Sequence, residues 1–75
     1  MNEYKITRRE RQVLDALTFE WQRRDEILAN ISGKQMYPRW LYTHLHNLMK
    51  KGFVEKEFGV LVHLTQRYRL KGGAL

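Results

Sequence analysis

Cysteine is absent from the 75 residues. The chain therefore has no disulfide framework, thiolate metal site or cysteine nucleophile. That absence favours a reducing compartment, and the expected location is the cytoplasm, at the nucleoid or, in a eukaryote, the nucleus. No apolar run approaches the ~20 residues that span a bilayer. Met1 to Lys5 lacks the apolar core of a signal peptide, so no membrane partner is expected. Serine occurs once, as Ser32, with no nucleophile motif around it. His44 and His46 stand two apart on an expected helix and project about 200° from each other, so they cannot share one ion. His63 is remote from both. Neither an HExxH motif nor a Gly-rich phosphate loop is present. A domain of this length buries only about 60% of the surface its unfolded chain exposes, which leaves little room for a deep active site. An enzyme is not expected, nor is a metal, a cofactor or a small-molecule ligand.

Acidic residues are missing from one long stretch, Ile27 to Val54. Residues 1–26 carry six basic and six acidic side chains and are neutral; residues 27–75 carry eight basic against two acidic, which is the entire net charge of +6. Such asymmetry points to a polyanionic partner for the C-terminal two-thirds, and to a scaffold in the balanced first third.

The chain has the apolar content to fold, at 43% hydrophobic residues, with Pro38 the only proline. Thr7-Arg8-Arg9-Glu10 fits a capping box, and Val13, Leu14, Leu17 and Trp21 follow at helical spacing, so a helix is expected over about 7–20. Ile27, Leu28 and Ile31 form the stripe of a second helix over about 24–31, with Asp25 and Glu26 near its positive end and Gly33 as a left-handed cap. Pro38 suits the first position of a third helix running to about Lys51 and stopped by Gly52. Within it Leu41, Leu45 and Leu48 fall within about 60° on the helical wheel. Phe53 to Phe58 and Gln66 to Lys71 read as strands, and Gly72 to Leu75 as a tail.

The expected class is α+β, mostly α: a single domain with a three-helix helix-turn-helix core and then a two-stranded β-hairpin. Leu45-x-x-Leu48-x-x-x-Gly52-Phe53-Val54 resembles the end of a winged-helix recognition helix entering its wing, and Tyr68-x-Leu70 resembles the returning wing strand. The resemblance covers about residues 6–71 and implies a wing over about 53–71. It also implies a DNA-binding function, with the third helix in the major groove of double-stranded DNA and transcription regulation as the role.

With the three leucines turned inward, the outward face of that helix carries Arg39, Thr43, His46, Asn47 and Lys50 and no carboxylate. Arg39 suits guanine, Asn47 suits adenine, and Thr43 a base edge or a thymine methyl; with His46 they are the base-reading candidates. Lys34, Tyr37 and Lys50 are placed for phosphates, and Lys56, Arg67 and Arg69 of the wing could follow the backbone too. Cross-strand pairing of the wing arginines with Glu55 and Glu57 is an equal alternative. Tyr37 is ambiguous between a phosphate contact and packing, and Trp40 and Tyr42 are expected to be partly buried packing residues. Arg8, Arg9 and Arg11, interleaved with Glu10 and Asp15, read mainly as a solvated face, with a phosphate contact from the start of the first helix as the alternative. The apolar tip, Val60, Leu61, Val62 and Leu64, supports a rival class, a winged-helix module that binds protein. The same tip could instead complete the core or form a homodimer contact, and a homodimer would fit the DNA reading through paired half-sites.

Overall fold

A computed structural model describes residues 5–33, 35–58 and 65–72. Helix α1 spans Arg8–Ala16 and begins at the expected capping box. The Thr7 hydroxyl accepts from the Glu10 N–H at 3.1 Å, and Glu10 Oε1 accepts from the Thr7 N–H at 3.0 Å. The helix then stops four residues earlier than its apolar spacing implies. Leu17 is extended, at φ −92° and ψ 154°, and its side chain is buried. The backbone of Thr18 explains the stop, because it has partners that a continued helix would deny it. Its N–H donates to Gln22 Oε1 at 2.9 Å, and its carbonyl accepts from the Leu70 N–H at 2.9 Å. Trp21 is therefore not on the helix.

The chain leaving α1 forms a strand, β1 (Gln22–Arg23), that the sequence pattern did not anticipate. Helix α2 (Arg24–Asn30) follows, with Glu26 Oε1 accepting from the Arg23 N–H at 2.8 Å at its start. It ends on Ile31 in an extended conformation, so Gly33 is not its cap although its φ is +89°. Instead the Ser32 carbonyl accepts from Gln12 Nε2 at 3.0 Å, tying this connection to α1. Buried Met36 anchors the approach to α3 (Pro38–Lys50).

Helix α3 has proline in its first turn and ends as expected at Gly52. There φ is +88°, and the Gly52 and Phe53 N–H groups donate to the Met49 and Leu48 carbonyls at 3.1 and 3.0 Å. This Schellman arrangement satisfies carbonyls that a helix end leaves open and needs a left-handed residue. Leu41, Leu45 and Leu48 turn inward and are at most 1% exposed.

Strands β2 (Val54–Lys56) and β3 (Arg67–Leu70) are antiparallel and shorter than the spans expected from the sequence. β1 pairs with the other edge of β3, so the sheet has three strands in the order β1-β3-β2 and not the two of a simple hairpin. Among the described residues the architecture is thus α+β, with three helices and a small antiparallel sheet. Tyr68, on the central strand, is buried with Val54 against Val13, Ile27 and the α3 leucines.

One buried ion pair fixes the end of α3 to the start of α1. Glu10 is 3% exposed, and its Oε1 accepts from Lys51 Nζ at 2.7 Å. The same ammonium donates to the Lys5 carbonyl at 2.7 Å. Burial pushes the Glu10 carboxyl up, but the Lys51 ammonium and the Thr7 N–H outweigh it and hold it below the usual carboxylate range. Nearby, His44 has a buried Nδ1 without a hydrogen-bond partner among the described residues. Burial pushes the pKa of this imidazole down; Glu10 opposes that shift and Arg9 reinforces it.

Both shifts make the unfolded chain bind more protons than the folded one as pH falls, so stability declines on acidification. The loss from His44 begins near the ordinary imidazole value of 6.5, and that from Glu10 near the ordinary carboxylate value of 4.5. Glu57, held low by Arg67, contributes in the lower window as well. Urea unfolding across pH should show His44→Gln flattening the upper window alone. Glu10→Gln should cost about 1–3 kcal/mol at neutral pH and reduce the lower window without abolishing it. An unchanged acid limb in Glu10→Gln would contradict the assignment.

Candidate nucleic-acid interface

The leucine stripe decides which side of α3 faces outward. Arg39, Thr43, His46 and Lys50 are exposed there and Asn47 is half-buried, so the helix brings these five together along one side. The Thr43 hydroxyl donates back to the Arg39 carbonyl at 3.1 Å, a bond within the helix that leaves its oxygen able to accept. No carboxylate among the described residues is ion-paired to Arg39 or Lys50.

Aromatic rings border this face on both sides. Tyr42 lies nearly parallel to His46, with ring centroids 6.5 Å apart, and the Arg24 guanidinium stands 5.5 Å from the Tyr42 ring. On the opposite border Trp40 meets Tyr37 edge-on at 5.0 Å, and the Arg9 guanidinium stands 5.8 Å from the Trp40 ring. Trp40 and Tyr42 are 43% and 39% exposed, more open to solvent than a packing role predicts. Tyr37, at 56%, is likewise outside the core.

The sheet residues divide differently. Arg67 donates through Nε to Glu57 Oε1 at 2.8 Å and through a second nitrogen to Oε2, a two-pronged pair. Arg69 donates to Glu55 Oε2 at 2.6 Å, and its guanidinium lies 4.1 Å from the Trp21 ring. The register sets Glu55 directly opposite Arg69. Arg67 and Arg69 are therefore both paired with carboxylates across the strands, the second of the two arrangements the sequence allowed. Lys56 is exposed and has no ion-pair partner among the described residues. Lys34, Val60, Leu61, Val62 and Leu64 lie outside the described residues.

Charge separation is sharper in space than along the chain. Glu10 is taken by Lys51, Asp25 by Arg23 at 3.1 Å, and Glu55 and Glu57 by Arg69 and Arg67 of β3. The sequence could not show this sorting for Glu10, because its partner lies 41 residues away. The Arg24–Tyr42 and Arg9–Trp40 contacts were missed for the same reason. Among the described residues no three His, Asp or Glu side chains gather as a metal site, and no helix is long and apolar enough to cross a membrane. No protein-family model, curated protein or solved structure matches the chain.

The Arg69 contacts have a measurable consequence. Arg69→Lys keeps the charge but loses the delocalised guanidinium over the Trp21 ring and the Nε donor. Indole emission should shift, and urea unfolding should show a loss of about 0.5–1 kcal/mol, the scale of an exposed cation–π contact.

Proposed function

We propose that this chain is a sequence-specific double-stranded DNA-binding protein, a small transcriptional regulator of winged-helix type that inserts α3 into the major groove. The observation that carries the reading is the outward face of α3. Arg39, Thr43, His46, Asn47 and Lys50 share it, and no carboxylate interrupts it. B-DNA's major groove is about 12 Å wide and admits a helix, and its base edges present donors and acceptors that Arg and Asn match in pairs. Helix α2, the connection after it, α3 and the antiparallel β2 and β3 follow in the order the resemblance implies. β1 adds a third strand at the edge of β3 opposite β2.

In this reading Arg39, Thr43, His46 and Asn47 meet base edges, and Lys50 meets phosphate with Lys34, Tyr37 and Lys56. Arg67 and Arg69 serve the sheet before they serve DNA, since each already holds a carboxylate. A homodimer on paired half-sites would supply the specificity that one helix lacks. The rival reading, a protein-binding module, is favoured by Phe58, which is 93% exposed where the chain enters the apolar segment 60–64.

Selection from a random duplex pool at about 150 mM salt should recover a motif, whose symmetry reports the oligomer. On that site Arg39→Ala and Asn47→Ala should each cost about 1–3 kcal/mol of binding and relax preference at one position. Lys50→Ala should weaken binding to every sequence and lower the salt slope by about one. Weak binding that does not vary with salt would favour the protein-binding module instead.

A further inference from the structure

Residues 1–26 are neutral in sum, yet their carboxylates and guanidiniums do not neutralise each other evenly. Glu10 is buried against Lys51. Asp25 pairs with Arg23, and Glu26 accepts from the Arg23 backbone N–H. None of these carboxylates is ion-paired with Arg9 or Arg24. Both guanidiniums project away from their own helices onto α3, Arg9 over Trp40 and Arg24 over Tyr42.

The two aromatic rings sit about 160° apart around α3, one on each side of the outward face. A helix with its side chains is about 10–12 Å across, and the major groove is about 12 Å wide. Groups on the two borders of a helix seated in that groove therefore meet its two walls, which are the phosphate backbones of opposite strands. A guanidinium drawn toward an aromatic ring from 5.5 or 5.8 Å, inside the ~6 Å reach of the cation–π attraction, has lost part of its rotamer freedom before any phosphate arrives. Arg9 is steadied further by donating to Gln12 Oε1 at 3.2 Å and to the Gln35 carbonyl at 3.4 Å.

From this geometry we infer that Arg9 and Arg24, held on Trp40 and Tyr42, form a two-sided phosphate clamp that grips both strands of the duplex on either side of α3. Trp40 and Tyr42 are positioning residues for the two arginines. The inference rests on the placement of α3 in the major groove, and it moves two residues of the neutral first third from scaffold to contact surface.

The test measures binding to a mixed-sequence duplex of about 20 base pairs across a salt series, where the slope of log K against log salt falls by about 0.9 for each phosphate no longer neutralised. Arg9→Gln and Arg24→Gln should each flatten the slope by about one and the double variant by about two. Arg11 lies about 200° from Arg9 around α1 and is exposed; Arg11→Gln makes the same charge change and should leave the slope unaltered. Arg9→Lys and Arg24→Lys keep the charge and should restore the slope, which separates removal of a phosphate ligand from damage to the fold. A steep slope in the parent that Arg9→Gln and Arg24→Gln leave intact, or that Arg11→Gln flattens equally, overturns the clamp and spares the α3 reading. A parent with no salt-dependent duplex binding overturns both.

Discussion

One carboxylate holds this small domain in register. Glu10 accepts from the N–H that starts α1 and from the ammonium that ends α3, and is almost wholly buried while doing so. A buried ion left without its partner is costly, so neither helix end can move independently of the other. Lys51 binds the Lys5 carbonyl as well, which brings the chain before α1 into the same knot. The knot closes the end of α3 remote from Pro38, while Met36 and Leu41 seat the other end in the core. What remains free on α3 is its outward side. The direction in which that side faces follows from the contact between the two helix termini as much as from the leucine stripe.

The same interaction changes how the charge should be read. Counted along the chain, Lys51 belongs to the basic region and Glu10 to the balanced one, yet in space they cancel. Arg69 and Arg67 cancel against Glu55 and Glu57 across the strands. Arg39 and Lys50 on α3 and Lys56 on β2 keep their charge unopposed among the described residues. Arg9 and Arg24, nominally balanced by their sequence neighbours, keep theirs too. Net charge overstates the basic character of the sheet and understates that of the helix borders.

Much of this fold was legible because its signals are local. A Thr and a Glu three residues apart start α1, a proline starts α3, a glycine ends it, and the leucine spacing identifies its buried side. Each depends on neighbours within a turn or two. The end of α1 was not legible, since Leu17 and Trp21 continue the helical spacing that Thr18 breaks by bonding to Gln22 and Leu70. Nor was β1, two polar residues whose strand character exists only because β3 offers an edge. The outward residues of α3 could be named from the wheel alone, because burying three leucines leaves one opposite side. The same wheel puts Trp40 on one border of that side and Tyr42 on the other, but not the guanidiniums beside them, because each comes from another helix.

Those borders raise a question of energy. The described core contains ten buried apolar residues, yet Tyr37, Trp40 and Tyr42 stand on or beside α3 in solvent. Sequestering a large aromatic ring is worth about 1.5–3 kcal/mol, a useful gain where total stability is about 5–15 kcal/mol. A sequence selected for stability alone would not leave three such rings exposed on and just before one helix. Their exposure makes physical sense if the rings act outward, giving rigid amphipathic surface and flat supports for guanidinium groups. Arginine needs such support because its long side chain loses about 2 kcal/mol of rotamer freedom when fixed. Part of that loss falls in the free protein, through contacts at 5.5 and 5.8 Å, before any partner arrives. On the proposed reading, stability not gained in the core reappears as affinity at the groove walls.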